Sequence, residues 1–269
     1  MWLLFACTGT EVDSAAETLD SDPQADPSCV LGEQSCDERG VCWVSFCADA
    51  YRMGSAGAGE ELEQPAHAVT LRGFELTISE MTAEQHRACV DDGSCRLWPG
   101  DEPAVGRCNQ EEPEAGLPAN CIDWDMAVEL CAWAGGRLPS ESEWEYAARS
   151  GGQPPPFPWG WAPPSCTRAN FTQGDCGQVT EPVCSLPDGD TEQGLCDVGG
   201  NVFEWVEDWM HDGYVGAPDD GSAWVDGSDE SYRVMRGGGI GSAEDLRTRN
   251  RTFHGPEFHY GGLGVRCAR

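Results

Sequence analysis

The chain has 269 residues, with 47 acidic side chains against 16 basic and a formal net charge of -31. That length suits one large domain or two small ones, and that charge excludes nucleic acid and anionic lipid as natural partners, since both repel it. Fifteen cysteines among 34 Gly and 18 Pro predict disulfides in an oxidising compartment, and no Cys-x-x-Cys pair with zinc-finger spacing is present. Every basic residue is an arginine. A surface this acidic tolerates calcium readily.

Residues 1–7 form a short apolar run, Met1 to Ala6, ending at Cys7. This resembles the end of a bacterial lipoprotein signal, although Phe5 is bulky for it and a basic leading region is missing. The resemblance implies lipidation of Cys7, export across the inner membrane and anchoring in the envelope, at the periplasm or outer membrane. Membrane contact is then expected only through the lipid. Removing Cys7 from the count leaves fourteen cysteines, an even number that allows seven disulfides. Residues 8–28 are acidic and carry no aromatic side chain, so they read as a flexible linker that cannot offset its ordering entropy by burial. Residues 29–50 are a cysteine-rich entry segment, in which Cys29, Cys36, Cys42 and Cys47 allow three pairings. The main domain is expected over 51–269.

Within that domain, Ala68 to Phe74 has strand-like patterning. Thr82 and Gln85 form a capping box that opens a short helix over Ala83 to Asp91, ended near Gly93. Cys89 on it and Cys95 just beyond are placed for a local bridge. After a Pro- and acid-rich excursion, Asp125 to Ala134 reads as a helix with Met126, Val128, Leu130, Cys131 and Trp133 on overlapping faces, stopped by Gly135-Gly136. Ser140 and Glu143 form a second capping box, opening a helix over Glu141 to Arg149 whose apolar stripe is Trp144, Ala147 and Ala148. Beyond Gln153 the chain reads as mostly irregular. The densest stretch is Gly199 to Trp209, where two glycines, Asn201, Glu204 and two Trp suggest irregular backbone tied to a core and to a metal ion.

Several motifs now stand in order. Gly136-Arg-Leu-Pro-Ser-Glu-Ser-Glu-Trp-Glu-Tyr-Ala-Ala-Arg149, Pro158-Trp-Gly160, Gly200-Asn-Val-Phe-Glu-Trp205, Arg233-Val-Met-Arg-Gly-Gly238 and Leu263-Gly-Val-Arg266 together resemble the signature of the formylglycine-generating enzyme (sulfatase-modifying factor) family. Met53-Gly-Ser55, Pro65, His67, Val69 and Glu80-Met-Thr82 match its N-terminal pattern. The resemblance implies an α+β, C-type-lectin-like fold with little regular secondary structure, rich here in disulfides, and a bridge from Cys131 to Cys267.

In the family's catalytic members, copper(I) held by two cysteines oxidises a sulfatase cysteine to formylglycine, because soft thiolates select Cu(I). The matching positions here are Ser242 and Arg247, neither a thiolate, so copper-dependent oxidation is not expected. A second enzymatic branch carries a His-rich iron-binding helical domain, for which the five histidines of this chain supply no pattern. Calcium is the cofactor the resemblance implies. Its ligands would be Asp197, the Gly200 and Val202 carbonyls and Glu204, with a weaker second site at Asn170, Phe171 and Asp175. Cys166, Cys176, Cys184 and Cys196 flank these loops, and Cys108 with Cys121 brackets another. Arg236, Arg247, Arg249 and Arg251 are expected either to line an anion or acidic-peptide groove or to sit in buried ion pairs. The reading favours a non-catalytic, calcium-stabilised binding or scaffold module with an unidentified protein or small ligand as partner. A formylglycine-generating oxidase and a lectin-like ligand-display module are the alternatives.

Overall fold

Both capping boxes form as the spacing predicts. In the computed structural model, which describes residues 26–57, 60–97, 106–109, 116–172, 176–226 and 231–269, the Thr82 hydroxyl accepts from the Gln85 amide at 3.2 Å while the Gln85 side chain accepts from the Thr82 N–H at 2.9 Å. They start α1, Ala83–Asp91. Helix α2, Trp124–Trp133, is capped by Asp123, which accepts from the Met126 N–H at 2.7 Å, and Gly135 at φ 86° ends it. Met126, Ala127, Leu130 and Cys131 are its buried residues, whereas Val128, expected on that face, is exposed. Helix α3, Glu141–Ala148, has the reciprocal Ser140–Glu143 box. It has no solvated face: all eight residues are buried, three glutamates among them. The expected stripe of Trp144, Ala147 and Ala148 is therefore part of a helix enclosed on every side.

Strands β1 (Gln34–Cys36), β2 (Cys42–Phe46), β3 (Asp49–Met53), β4 (His67–Leu71) and β5 (Phe74–Thr77) make two small antiparallel sheets, ordered β1-β2-β5 and β3-β4. The strand expected over Ala68 to Phe74 is thus two strands in different sheets, separated at Arg72-Gly73. Part of the cysteine-rich entry segment belongs to this core, because β2 pairs with β5 from Trp43↔Thr77 to Phe46↔Phe74 and buries Trp43, Val44 and Phe46.

The second half is more regular than expected. Strands β6 (Phe203–Trp209), β7 (Arg233–Arg236), β8 (Thr252–His254) and β9 (Leu263–Gly264) form a four-stranded sheet ordered β8-β7-β6-β9, with β9 parallel to β6. The stretch Gly199 to Trp209 is therefore a short turn followed by a central strand. Its tight part is confined to Gly200 and Asn201, at φ 113° and 61°. A Cβ on Gly200 would come within 2.7 Å of the Asn170 carbonyl oxygen, so that approach requires glycine. Strand β6 separates two cores. Trp205 packs with Met126, Leu130 and Cys131 of α2, while Val206 packs with Trp144 of α3, Tyr51 and Leu71.

All fourteen described cysteines are paired, as Cys29–Cys47, Cys36–Cys42, Cys89–Cys95, Cys108–Cys121, Cys131–Cys267, Cys166–Cys176 and Cys184–Cys196. Cys131–Cys267 spans 136 residues, and a loop of that size is stabilised by roughly 4–5 kcal/mol in the chain-entropy account. Among the described residues no helix is long and apolar enough to cross a membrane. Cys7, nearly all of the expected linker and Asp175 lie outside the described residues.

Candidate functional site

The four arginines left between a groove and buried ion pairs divide into two groups. Arg236 and Arg251 are buried, and they hold the glutamates of α3. Arg251 donates to both Glu141 oxygens at 2.6 and 2.9 Å. Arg236 reaches Glu141 at 3.3 Å and Glu145 at 2.7 Å, and Arg149 takes the other Glu145 oxygen at 2.8 Å. Burial alone would raise the Glu145 carboxyl, but Arg236 and Arg149 outweigh it and hold it below the usual range. Of the two alternatives, these two arginines follow the buried ion pair: they are partners of carboxylates inside the fold, 0% and 5% exposed. Arg247 and Arg249 are half-buried and remain at the surface.

The loop that follows β7 holds the positions where the resemblance places copper ligands. Ser242 closes a turn on Asp245, whose Oδ2 accepts from the Ser242 N–H at 2.7 Å and from its hydroxyl at 2.8 Å. Arg247 forms a bidentate pair with buried Glu63 at 2.7 and 3.1 Å. A hydrogen-bonded turn and an ion pair thus stand at those two positions, and every described cysteine is already in a disulfide.

The calcium reading concerns the turn before β6. Glu204 is 1% exposed, accepts from the Trp144 indole at 2.6 Å and pairs with Arg266 at 2.8 Å. Its charge is therefore balanced by protein. Asp197 accepts from the Cys184 amide at 2.5 Å. Burial pushes its carboxyl up to about 6, with Asp190 and Glu204 adding repulsion. The spacing of Gly200, Val202 and Glu204 did not point to Glu80, yet Glu80 belongs to the same acidic cluster. It is 1% exposed, its Oε2 accepts from Asn201 at 3.3 Å, and its Oε1 has no partner. Burial raises its carboxyl well above the usual range, followed by the charges of Asp197 and Glu204. The signal available in the sequence was its place in Glu80-Met-Thr82, just ahead of the first capping box.

Asn170, expected at a second and weaker calcium site, is 4% exposed and interlocks with Asn201. The Asn170 carbonyl accepts from the Asn201 N–H at 2.9 Å, and the two amide side chains meet at 3.2 Å. Asn170 Oδ1 has no partner, and a Cβ on Gly177 would overlap it. Phe171 is buried beside Leu246. These orphaned oxygens fit a hard divalent cation better than they fit an empty interior. Among the described residues one His/Cys/Asp/Glu triple comes within metal-sharing distance, Cys184, Cys196 and Asp197, and its two sulfurs are joined to each other.

A family model described as a sulfatase-modifying factor enzyme 1-like domain matches residues 40–269. The chain belongs to that family. It is 35% identical over 257 residues to the formylglycine-generating enzyme of Mus musculus, which covers 86% of this chain and 67% of that protein. It is 34% identical over 227 residues to serine/threonine-protein kinase Pkn1 of Chlamydia trachomatis serovar L2, covering 80% of this chain and 36% of the kinase. The chain thus spans about a third of the length of that relative, and the domain occurs in proteins that carry other names. Among solved structures it resembles PvdO from Pseudomonas aeruginosa, with a TM-score of 0.77, 29% identity, and coverage of 90% of this chain and 99% of that one. The α+β, disulfide-rich fold implied by the sequence motifs is the fold observed.

Proposed function

We propose that this chain is a non-catalytic member of its family, a calcium-stabilised binding or scaffold module held in the cell envelope by a lipid on Cys7. The observation that carries the loss of catalysis is the pair of positions 242 and 247. A serine that caps its own turn on Asp245 and an arginine locked to Glu63 offer no thiolate to Cu(I). Calcium would supply the positive charge that Glu80 and Asp197 lack, and it would be held by those two carboxylates with the backbone around Gly200 and Val202. Glu204 then acts beside the ion, by fixing Arg266 and Trp144, rather than as its principal ligand.

The test is differential alkylation with intact-mass analysis, together with incubation with Cu(I), O₂ and a Cys-x-Pro-x-Arg peptide. The expected result is no reactive thiol anywhere after Cys7, whose own sulfur is blocked by the lipid, no stoichiometric copper and unmodified peptide. A reduced cysteine pair that binds copper, or peptide turnover, would overturn the proposal. Radiolabelled palmitate incorporation that is lost in Cys7→Ala tests the anchor.

A second reading, ligand display, is favoured by a cavity of about 370 Å³ lined by Leu117, Val179, Pro182, Ile240 and Tyr260. It is mostly apolar with a few polar groups, the usual character of a small-molecule site. A saturable ligand from a fragment screen, displaced by Ile240→Trp, distinguishes display from a purely structural role.

A further inference from the structure

Four arginines face one opening on the side of the molecule where β3, the end of α3 and the loop before β8 meet. Arg52, Arg149, Arg247 and Arg249 line a cavity of about 350 Å³ together with Gly54, Ser55, Ala56, Ala66 and Pro156. Among the described residues no acidic side chain lines it. In a chain with 47 acids and 16 arginines, that composition runs against the average of the surface.

The four are not equivalent. Arg149 is bonded to Glu145, and Arg247 to Glu63, so their charges are balanced by carboxylates behind the wall. Arg52 and Arg249 have no carboxylate within ion-pair distance among the described residues. Arg52 is exposed and donates to the Ala66 carbonyl at 3.0 Å. Arg249 is half-buried and among the described residues donates to the carbonyls of Gly54 and Pro154, both at 3.2 Å. Burial lowers the Arg249 guanidinium, and Arg149 lowers it further. Weighing the four guanidiniums against the two carboxylates, of which Glu145 is also shared with Arg236, leaves at least two positive charges open to one cavity. The arginines of 247–251 thus separate by burial, and Arg52 and Arg149 join from earlier in the chain.

We infer that this cavity binds a dianionic tetrahedral oxyanion, a phosphate or sulfate group, carried on a small organic ester. Two unbalanced guanidiniums match a dianion, and their planar forks suit tetrahedral oxygens better than an ammonium would. The cavity is larger than an inorganic oxyanion needs and lies in the size range of small-molecule sites. Ala56, Ala66 and Pro156 give the organic part an apolar wall. This assignment uses neither Asp197 nor the apolar cavity, and it shares only Arg247 with the reading of lost catalysis, as a wall residue already neutralised by Glu63. The two unpaired guanidiniums that carry it, Arg52 and Arg249, belong to neither earlier reading.

Isothermal titration at a fixed ionic strength of about 0.15 M, where the Debye length is about 8 Å, tests it with six probes: inorganic phosphate, inorganic sulfate, phenyl phosphate, phenyl sulfate, acetate and chloride. The expected result is saturable binding of one ester per chain, tighter than the matching inorganic ion, with no saturation by acetate or chloride. The phosphate and sulfate arms identify which ester is taken. Arg249→Gln and Arg52→Gln should each weaken binding roughly tenfold or more, as loss of a charge-assisted hydrogen bond does. Arg96→Gln, at a distant surface cluster with Asp123 and Glu129, should leave it unchanged. Should Arg249→Gln lose its near-UV circular dichroism, exposed Arg52→Gln decides alone. Absence of saturation by every oxyanion, or equal affinity in the parent and Arg52→Gln, overturns the inference.

Discussion

Two regions bury glutamate and balance its charge in different ways. Around α3, Glu141, Glu143 and Glu145 each have an arginine partner, so that a helix with three acids is enclosed in the core. Around the turn before β6, Glu80, Asp190, Asp197 and Glu204 share Arg266, which of these four acids is ion-paired only with Glu204 and otherwise donates to backbone carbonyls. Orphaned Glu80 Oε1 and Asp190 Oδ1 lie on this side and none of the α3 glutamate oxygens is orphaned. Burial of a charge is tolerated only with a counter-charge and filled hydrogen bonds. The first region contains its own cations: each α3 glutamate has an arginine, and what is left over there is the Arg236 Nε, a donor, rather than a carboxylate oxygen. The second is short of positive charge, which is the physical basis for placing calcium there.

The comparison can be broken most severely at Arg236. Arg236→Met would leave Glu141 and Glu145 without one of their partners, at a cost of about 3–5 kcal/mol. Urea denaturation measures this, and added calcium should not restore it. If calcium did restore it, the α3 network would not be self-sufficient.

At the second region, calcium at a hundredfold its dissociation constant should stabilise by about 2.7 kcal/mol, and a chelator should reverse this. Glu80→Gln is expected to abolish the calcium response. In chelator the variant should equal or exceed the parent, because a buried carboxylate without a counter-charge has been removed. An undiminished calcium response in Glu80→Gln would show that Glu80 is not part of the site.

A pH series in chelator sharpens the same contrast. Burial pushes Asp208 up to about 7, with Glu141 adding repulsion, and Asp197 up to about 6. Between the ordinary carboxylate range and these values the folded state binds more protons than the unfolded one. The contribution of these groups to stability therefore falls as pH rises from about 4 through 7. Asp208→Asn should flatten the upper part of that window, and calcium should flatten the part near pH 6 by holding Asp197 ionised. Thermal midpoints across the series report both.

The smallest expected effect is local. Ser140→Ala removes the hydroxyl that caps α3 and costs about 1 kcal/mol, independent of calcium and pH. Thermal unfolding with and without chelator checks that independence.

The difference between these regions was unevenly legible. Thr82 with Gln85 and Ser140 with Glu143 announced their helices because a capping box is closed by residues three apart. Cys89 and Cys95 were readable for the same reason. Strand β6 was missed because Gly199 to Trp209 mixes turn residues with a strand, and its Gly and Asn content belongs to the turn alone. Glu80 was overlooked because nothing near it in the chain marks it as acidic company for Asp197, which lies far along the sequence.

Residues close in the chain thus determined the capped helices, the odd cysteine count that set Cys7 apart, and the ordered motifs that place the protein in its family. Tertiary structure alone decided which arginines are spent inside the fold and which remain available. Glu141 meets Arg251 across 110 residues and Glu63 meets Arg247 across 184. Counting charges along the chain cannot separate Arg251 from Arg249, two positions apart, because ion pairing is settled by distance and burial in space. One of the two closes a buried pair, and the other faces an open cavity.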